Sequence, residues 1–106
     1  VRFWDDYDLL LTPTLALEPI PVGWLWEDPE PGMQFARAGL FTPFAPPFNL
    51  TGQPAASLPL HWSESGLPIG VQLVGAPAAE ATLLRVCSQI EQARPWANRI
   101  PPSVSD

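Results

Sequence analysis

The chain has 106 residues with a formal net charge of -6, and only 15% of them are charged, where a soluble domain averages about 25%. Its basic residues are all arginine, scattered at positions 2, 37, 85, 94 and 99; this excludes any chemistry by a lysine of this chain and the clustered cationic footprint of nucleic-acid binding. From Ala38 to Ala79 the one formal charge is Glu64, too little for a free surface, so this stretch reads as the interior of a larger body.

Asp5, Asp6 and Asp8 open the chain as adjacent acids, which read as a solvated turn in preference to a general acid-base pair. Tyr7 to Thr12 is a short apolar run bounded by charge and by Pro13, the pattern of a strand buried on both faces. Thr12 and Thr14 stand at its carboxyl end, where open α/β sheets collect ligands, and are candidate substrate-binding hydroxyls. Their alternative role is to cap the turn around Pro13.

Leu15 to Gly32 keeps no period and carries Pro19, Pro21, Pro29 and Pro31, so it reads as a long connection that Trp24 and Trp26 fold back onto the body. As a polyproline ligand for another protein it lacks the usual basic anchor, since Glu27, Asp28 and Glu30 are acidic. Met33 to Phe41 suits two helical turns stopped near Pro43. Asn49, Gly52 and Pro54 form a tight turn that passes the chain from a short helix or loop into a strand. Asn49-Leu50-Thr51 matches the N-x-T glycosylation pattern, which means little where no secretory signal is read.

Pro54 to Leu60 and Pro68 to Val74 are strand candidates joined by His61 to Leu67, a length that suits a hairpin. Ile69, Val71 and Leu73 alternate with Gly70, Gln72 and Val74, so both faces read as nearly apolar and the pair as inside a layered sheet. Pro77 to Arg94 is an amphipathic helix. Leu83, Val86, Cys87, Ile90 and Ala93 form its apolar stripe, Pro77 suits its first turn and Pro95 stops it.

Chemistry is sparse. Cys87, the single cysteine, sits on the apolar stripe as a small core residue; with the single His61 it offers neither a disulfide nor a Cys/His zinc site. No serine stands in a Gly-x-Ser-x-Gly turn, and His61 reads as structural. The single cysteine makes a reducing cytoplasm the expected setting; prolines punctuate the uncharged stretch against a membrane span, and no signal peptide is read at the start. The residues alone lead as far as a sheet-and-helix segment of an α/β body.

Asn49 to Leu60 (NLTGQPAASLPL), then Gly66 to Gly75 (GLPIGVQLVG) and Glu80 to Val86 (EATLLRV), resemble the C-terminal part of amidase signature enzymes, the Ser-Ser-Lys hydrolases of amides. Tyr7 to Thr14 (YDLLLTPT) and Ile90 to Trp96 (IEQARPW) fit the same family in the same order; Pro19 to Arg37 fits least. The resemblance implies an α/β fold: the C-terminal segment of a mixed β-sheet sandwiched by helices, with a central hairpin and a terminal amphipathic helix. Within it, residues 1–14 would supply a strand and turn, 15–37 the connection, 38–76 the pocket wall and hairpin, 77–94 the helix and 95–106 a tail.

The implied activity is hydrolysis of a small-molecule carboxamide by a serine, a second serine and a lysine, with backbone amides of a Gly/Ser-rich loop stabilising the oxyanion. Those parts have no match in this chain, which is expected to be inactive alone and to need the N-terminal portion of the fold or self-association. By resemblance, Phe41, Thr42, Phe44, Ala45, Pro46 and Phe48 line the acyl pocket, an apolar wall with one hydroxyl; ordinary core packing by the three Phe is the alternative. Pro46 and Pro47 stand where relatives look helical, which implies a remodelled wall, and Ala76, Ala78 and Ala79 give the last helix no side-chain cap. Neither a cofactor nor a metal is implied, and no nucleic-acid or membrane partner. The competing reading is a non-catalytic binding or assembly module that oligomerises through its apolar hairpin faces.

Overall fold

Eight residues of strand on either side of a five-residue loop organise the chain. In a computed structural model that describes residues 2–101, β2 (Ala55–Trp62) and β3 (Pro68–Gly75) form an antiparallel hairpin, and β1 (Leu9–Pro13) pairs antiparallel with the far side of β3, giving the order β1-β3-β2. Around them stand α1 (Phe3–Asp6), a 3-10 turn (Trp24–Trp26), α2 (Pro31–Phe41), α3 (Pro46–Thr51) and α4 (Glu80–Ala93). Residue 1 of the expected first segment and residues 102–106 of the expected tail lie outside the described residues.

The hairpin loop is Ser63 to Leu67. It is closed by the Ser63 N–H on the Leu67 carbonyl (2.8 Å) and the Leu67 N–H on Ser63 Oγ (3.1 Å), with Gly66 at φ 83, a left-handed value that glycine adopts freely. His61 and Trp62 therefore belong to β2 and not to the linker. The strand continues past Pro59, which has no N–H, because the register shifts between Pro59 and His61 and lets the extra residue bulge out.

Among the described residues β1 stands at the sheet's edge, and the expected burial on both faces is not met within this segment, where Leu11 is 64% exposed. The two faces of the sheet also differ, contrary to the expectation that both are apolar. Residues opposite one another in the register share a face. Leu73 and Leu58 lie on the face that α4 covers, where they meet Leu83 and are flanked by Leu9, Ala56, Val86, Cys87 and Ile90. Ala93 is exposed and does not extend the stripe; Trp96, beyond the helix, packs against the cluster instead.

Pro77 is not in the first turn of α4. Ala76 to Ala79 make a separate turn with Ala78 at φ 61, so the helix begins at Glu80, with Ala79 as an N-cap that offers no side-chain hydrogen bond. α2 starts earlier than Met33, because Pro31 suits a first turn and Glu30 caps it, accepting the Met33 N–H at 2.8 Å. Pro46 and Pro47 do not break the helix that follows Ala45. They occupy the first turn of α3, where a missing N–H costs no intrahelical bond, and Gly52 ends the helix at φ 69.

Only part of the long connection folds back as expected. Arg37 donates to the Trp24 carbonyl (2.6 Å), lies over the Trp24 ring (5.1 Å) and pairs with Glu27 (3.4 Å), whereas Trp26 stays 71% exposed. The whole assembly is thin, with principal extents of 45 × 40 × 18 Å and a radius of gyration of 16.4 Å, where a compact chain of this length measures about 13 Å. Its surface is 7838 Å² against roughly 5,800 Å² for a folded monomer of its mass. That surplus is what a segment shaped to lie against further protein would show.

Candidate functional site

The face of the sheet turned away from α4 carries a row of uncharged polar groups. Thr12 of β1, Gln72 of β3 and Ser57 of β2 stand directly opposite one another across the three strands. Gln72 is buried, and its Nε2 donates to Thr12 Oγ1 (3.0 Å) and to the backbone carbonyl of Phe44 (3.2 Å). Just past the end of β1, Thr14 Oγ1 and Ser57 Oγ share a hydrogen bond of 2.7 Å, and the Thr14 N–H reaches the Gly70 carbonyl (3.2 Å).

Gly70 makes the Thr14–Ser57 contact possible. A Cβ at that position would lie 2.6 Å from Ser57 Oγ and 2.7 Å from Thr14 Oγ1, well inside van der Waals contact, so any side chain would wedge the pair apart. The residue is chosen for close approach and not for an unusual φ.

The sequence-predicted wall lies beside this row. Phe41 ends α2 and its carbonyl accepts the Ala16 N–H (3.1 Å), tying the wall to the chain leaving β1. Thr42 spends its proton on the Ala38 carbonyl (2.9 Å), which leaves the hydroxyl able only to accept from anything else. Phe44 is tied to Gln72, Ala45 caps α3, Pro46 opens it, and Phe48 is half-buried within it. The structure thus joins Thr12 to the wall through a single amide group, while Thr14 is joined to β2. Thr12 also donates to the Pro13 carbonyl (2.9 Å), a local contact of the kind a turn-capping role requires.

Gln72 and Ser57 were missed by the sequence reading. Their signal was a polar residue in an otherwise apolar alternation, opposite two threonines whose register only the folded sheet reveals. Of the other candidates, Asp5, Asp6 and Asp8 are exposed, and so is His61. Burial pushes the Cys87 thiol above its ordinary value of 9.0, partly offset by a backbone hydrogen bond, which keeps it protonated and a poor nucleophile. Among the described residues no cluster of His, Cys, Asp or Glu is placed to hold a metal ion, and no helix is long and apolar enough to cross a membrane.

Chemically, the row spends its hydroxyls and amide on one another and on backbone carbonyls, and it contains no base to activate Ser57 or either threonine. Open grooves lie elsewhere, at the hairpin tip. One of about 640 Å³ is lined by Trp62, Leu67, Trp96 and Arg99, whose guanidinium stacks 3.9 Å over the Trp62 ring.

A profile of the family described as Amidase matches residues 1–84. The Mycobacterium tuberculosis protein AmiB2, an amidase by name alone, is 42% identical over 96% of this chain, which corresponds to 22% of that protein. The 6-aminohexanoate-cyclic-dimer hydrolase of Paenarthrobacter ureafaciens is 37% identical over 94% of this chain and 22% of its own length. A solved structure of a 6-aminohexanoate cyclic dimer hydrolase superposes with a TM-score of 0.82 at 40% identity, covering 95% of this chain and 22% of that one. A second structure, with the same match, is complexed with substrate. The chain therefore spans about a fifth of the length of the relatives it matches.

Proposed function

The chain belongs to the amidase family, and from that premise we propose that it serves as the pocket-wall and sheet segment of a hydrolase of carboxamide C–N bonds whose Ser-Ser-Lys machinery lies outside it. In that assembly β1, β2 and β3 extend a larger mixed sheet sandwiched by helices. Phe41, Phe44 and Phe48 face the acyl group of a small amide, in a reducing, cytoplasmic setting. The observation that carries this reading is the match to only 22% of each relative by a thin segment with roughly 2,000 Å² more surface than a folded monomer of its mass. Without a lysine in the chain, the proton relay of the reaction has to be completed by other residues.

The test is to replace the matching segment of the Paenarthrobacter hydrolase with this chain and to measure amide hydrolysis by the chimera and by the isolated chain. An active chimera and an inactive isolated chain are expected. Hydrolysis by the isolated chain would overturn the reading. So would sedimentation of the chain as a compact monomer with a sharp melt, whereas a stable closed oligomer that gives no active chimera would favour an assembly module.

A further inference from the structure

We infer that Gln72 is the positioning residue that sets the place of the Phe44 wall and thereby the size of acyl group the pocket accepts. The inference rests on reading Phe41 to Phe48 as the acyl wall of an amidase, and it adds a residue and a role to that reading.

Phe44 sits in the irregular run between α2 and α3, where its carbonyl has few possible donors. The next turn of chain would ordinarily supply one. Here positions 46 and 47 are both proline and have no N–H, and the N–H of Phe48 goes to the Ala45 carbonyl (3.1 Å). Among the described residues the hydrogen bond from Gln72 Nε2 (3.2 Å) is what the Phe44 carbonyl receives. The prolines that preorganise α3 also make the preceding carbonyl depend on a side chain from the sheet.

The orientation of the Gln72 amide is determined by its partners. The Phe44 carbonyl can only accept. The Thr12 hydroxyl has committed its proton to the Pro13 carbonyl (2.9 Å) and so also accepts, which requires the NH₂ end of Gln72 to face both. β3 is the central strand, hydrogen-bonded on both sides, and Gln72 is 6% exposed. The central strand of the sheet thus holds the Phe44 end of the wall by one amide group, and removing that donor frees that end without touching any reacting group.

The experiment uses the chimera described above, with Gln72→Met, which keeps the length but has no donor, and Gln72→Leu, which is shorter and likewise has none. Acetamide and hexanamide serve as short and long acyl probes. For both variants KM for hexanamide is expected to rise about tenfold, with kcat for both amides and KM for acetamide within about twofold of the parent. A merely structural role would lower the active fraction and so kcat for both amides alike; that outcome, or an unchanged hexanamide KM, overturns the inference. Amide exchange of Phe48 and Asn49, whose N–H groups bond the Ala45 carbonyl next to Phe44 (3.1 and 3.2 Å), provides a readout independent of activity and is expected to quicken about tenfold in Gln72→Met. Exchange at the parent rate refutes the positioning role even if the chimera hydrolyses nothing, whereas quickened exchange in an inactive chimera upholds the role and removes the amidase reading.

Discussion

Substituting Gly70 by alanine tests whether the Thr14–Ser57 clasp is a designed close approach. The new methyl carbon would lie 2.6 Å from Ser57 Oγ, 2.7 Å from Thr14 Oγ1 and 3.1 Å from Thr14 Cβ. Rotating both hydroxyls away would break their 2.7 Å hydrogen bond and still leave the Thr14 carbon crowded. Overpacking of this kind costs about 1–3 kcal/mol. The Thr14 N–H, bonded to the Gly70 carbonyl at 3.2 Å, reports the effect where it arises. Since each 1.4 kcal/mol is about a tenfold change, exchange of that amide in the chimera should quicken roughly 5- to 150-fold. Ser57→Ala in the same background removes one of the two opposing oxygens and should recover part of the loss, an interaction of about 1 kcal/mol in the double-mutant cycle. Gly39→Ala is the matched control, because it meets nothing within 4 Å and lies inside α2. There alanine should stabilise by about 0.5–1 kcal/mol. Exchange of Thr14 at the parent rate in Gly70→Ala would refute the reasoning, since it would mean that the sheet opens at no cost where the distances forbid it.

Two further outcomes follow from other contacts. Arg37→Lys should loosen the connection before α2 by about 1–2 kcal/mol, because an ammonium cannot both stack on Trp24 and reach its carbonyl and Glu27. Limited proteolysis should then cut within residues 15–30 at a higher rate while leaving β3 intact, and uncut chain under those conditions would disprove the anchor. The raised Cys87 pKa gives a sign that can be worked out: the folded thiol holds its proton to higher pH than the unfolded one. Its contribution to stability is therefore complete below the unfolded value, near 9.0, and is lost as pH rises through the folded value. At pH 8 the thiol should react with a disulfide reagent much more slowly in the folded protein than in urea; equal rates would show that it is not shielded.

Local signals carried the strands, the hairpin and the last helix. Apolar alternation around Ile69 to Leu73, the turn residues of the loop and the 3.6-residue stripe of α4 depend on near neighbours, so they were legible in the chain itself. The boundary of the last helix went wrong where two local rules competed: Pro77 suits a helix start, but the turn around Ala78 delays the helix to Glu80.

The sequence by itself also determined what this chain lacks, since a chain without lysine supplies no lysine to a proton relay in any fold. What only the tertiary structure decided was the polar row. Thr12, Ser57 and Gln72 are far apart in the chain, and nothing in the spacing says that they will stand abreast. That follows from the register of β1 and β2 on β3, which is set by cross-strand packing and by the bulge after Pro59. A shift of one residue would have turned Gln72 toward α4 and left the Phe44 carbonyl without its donor.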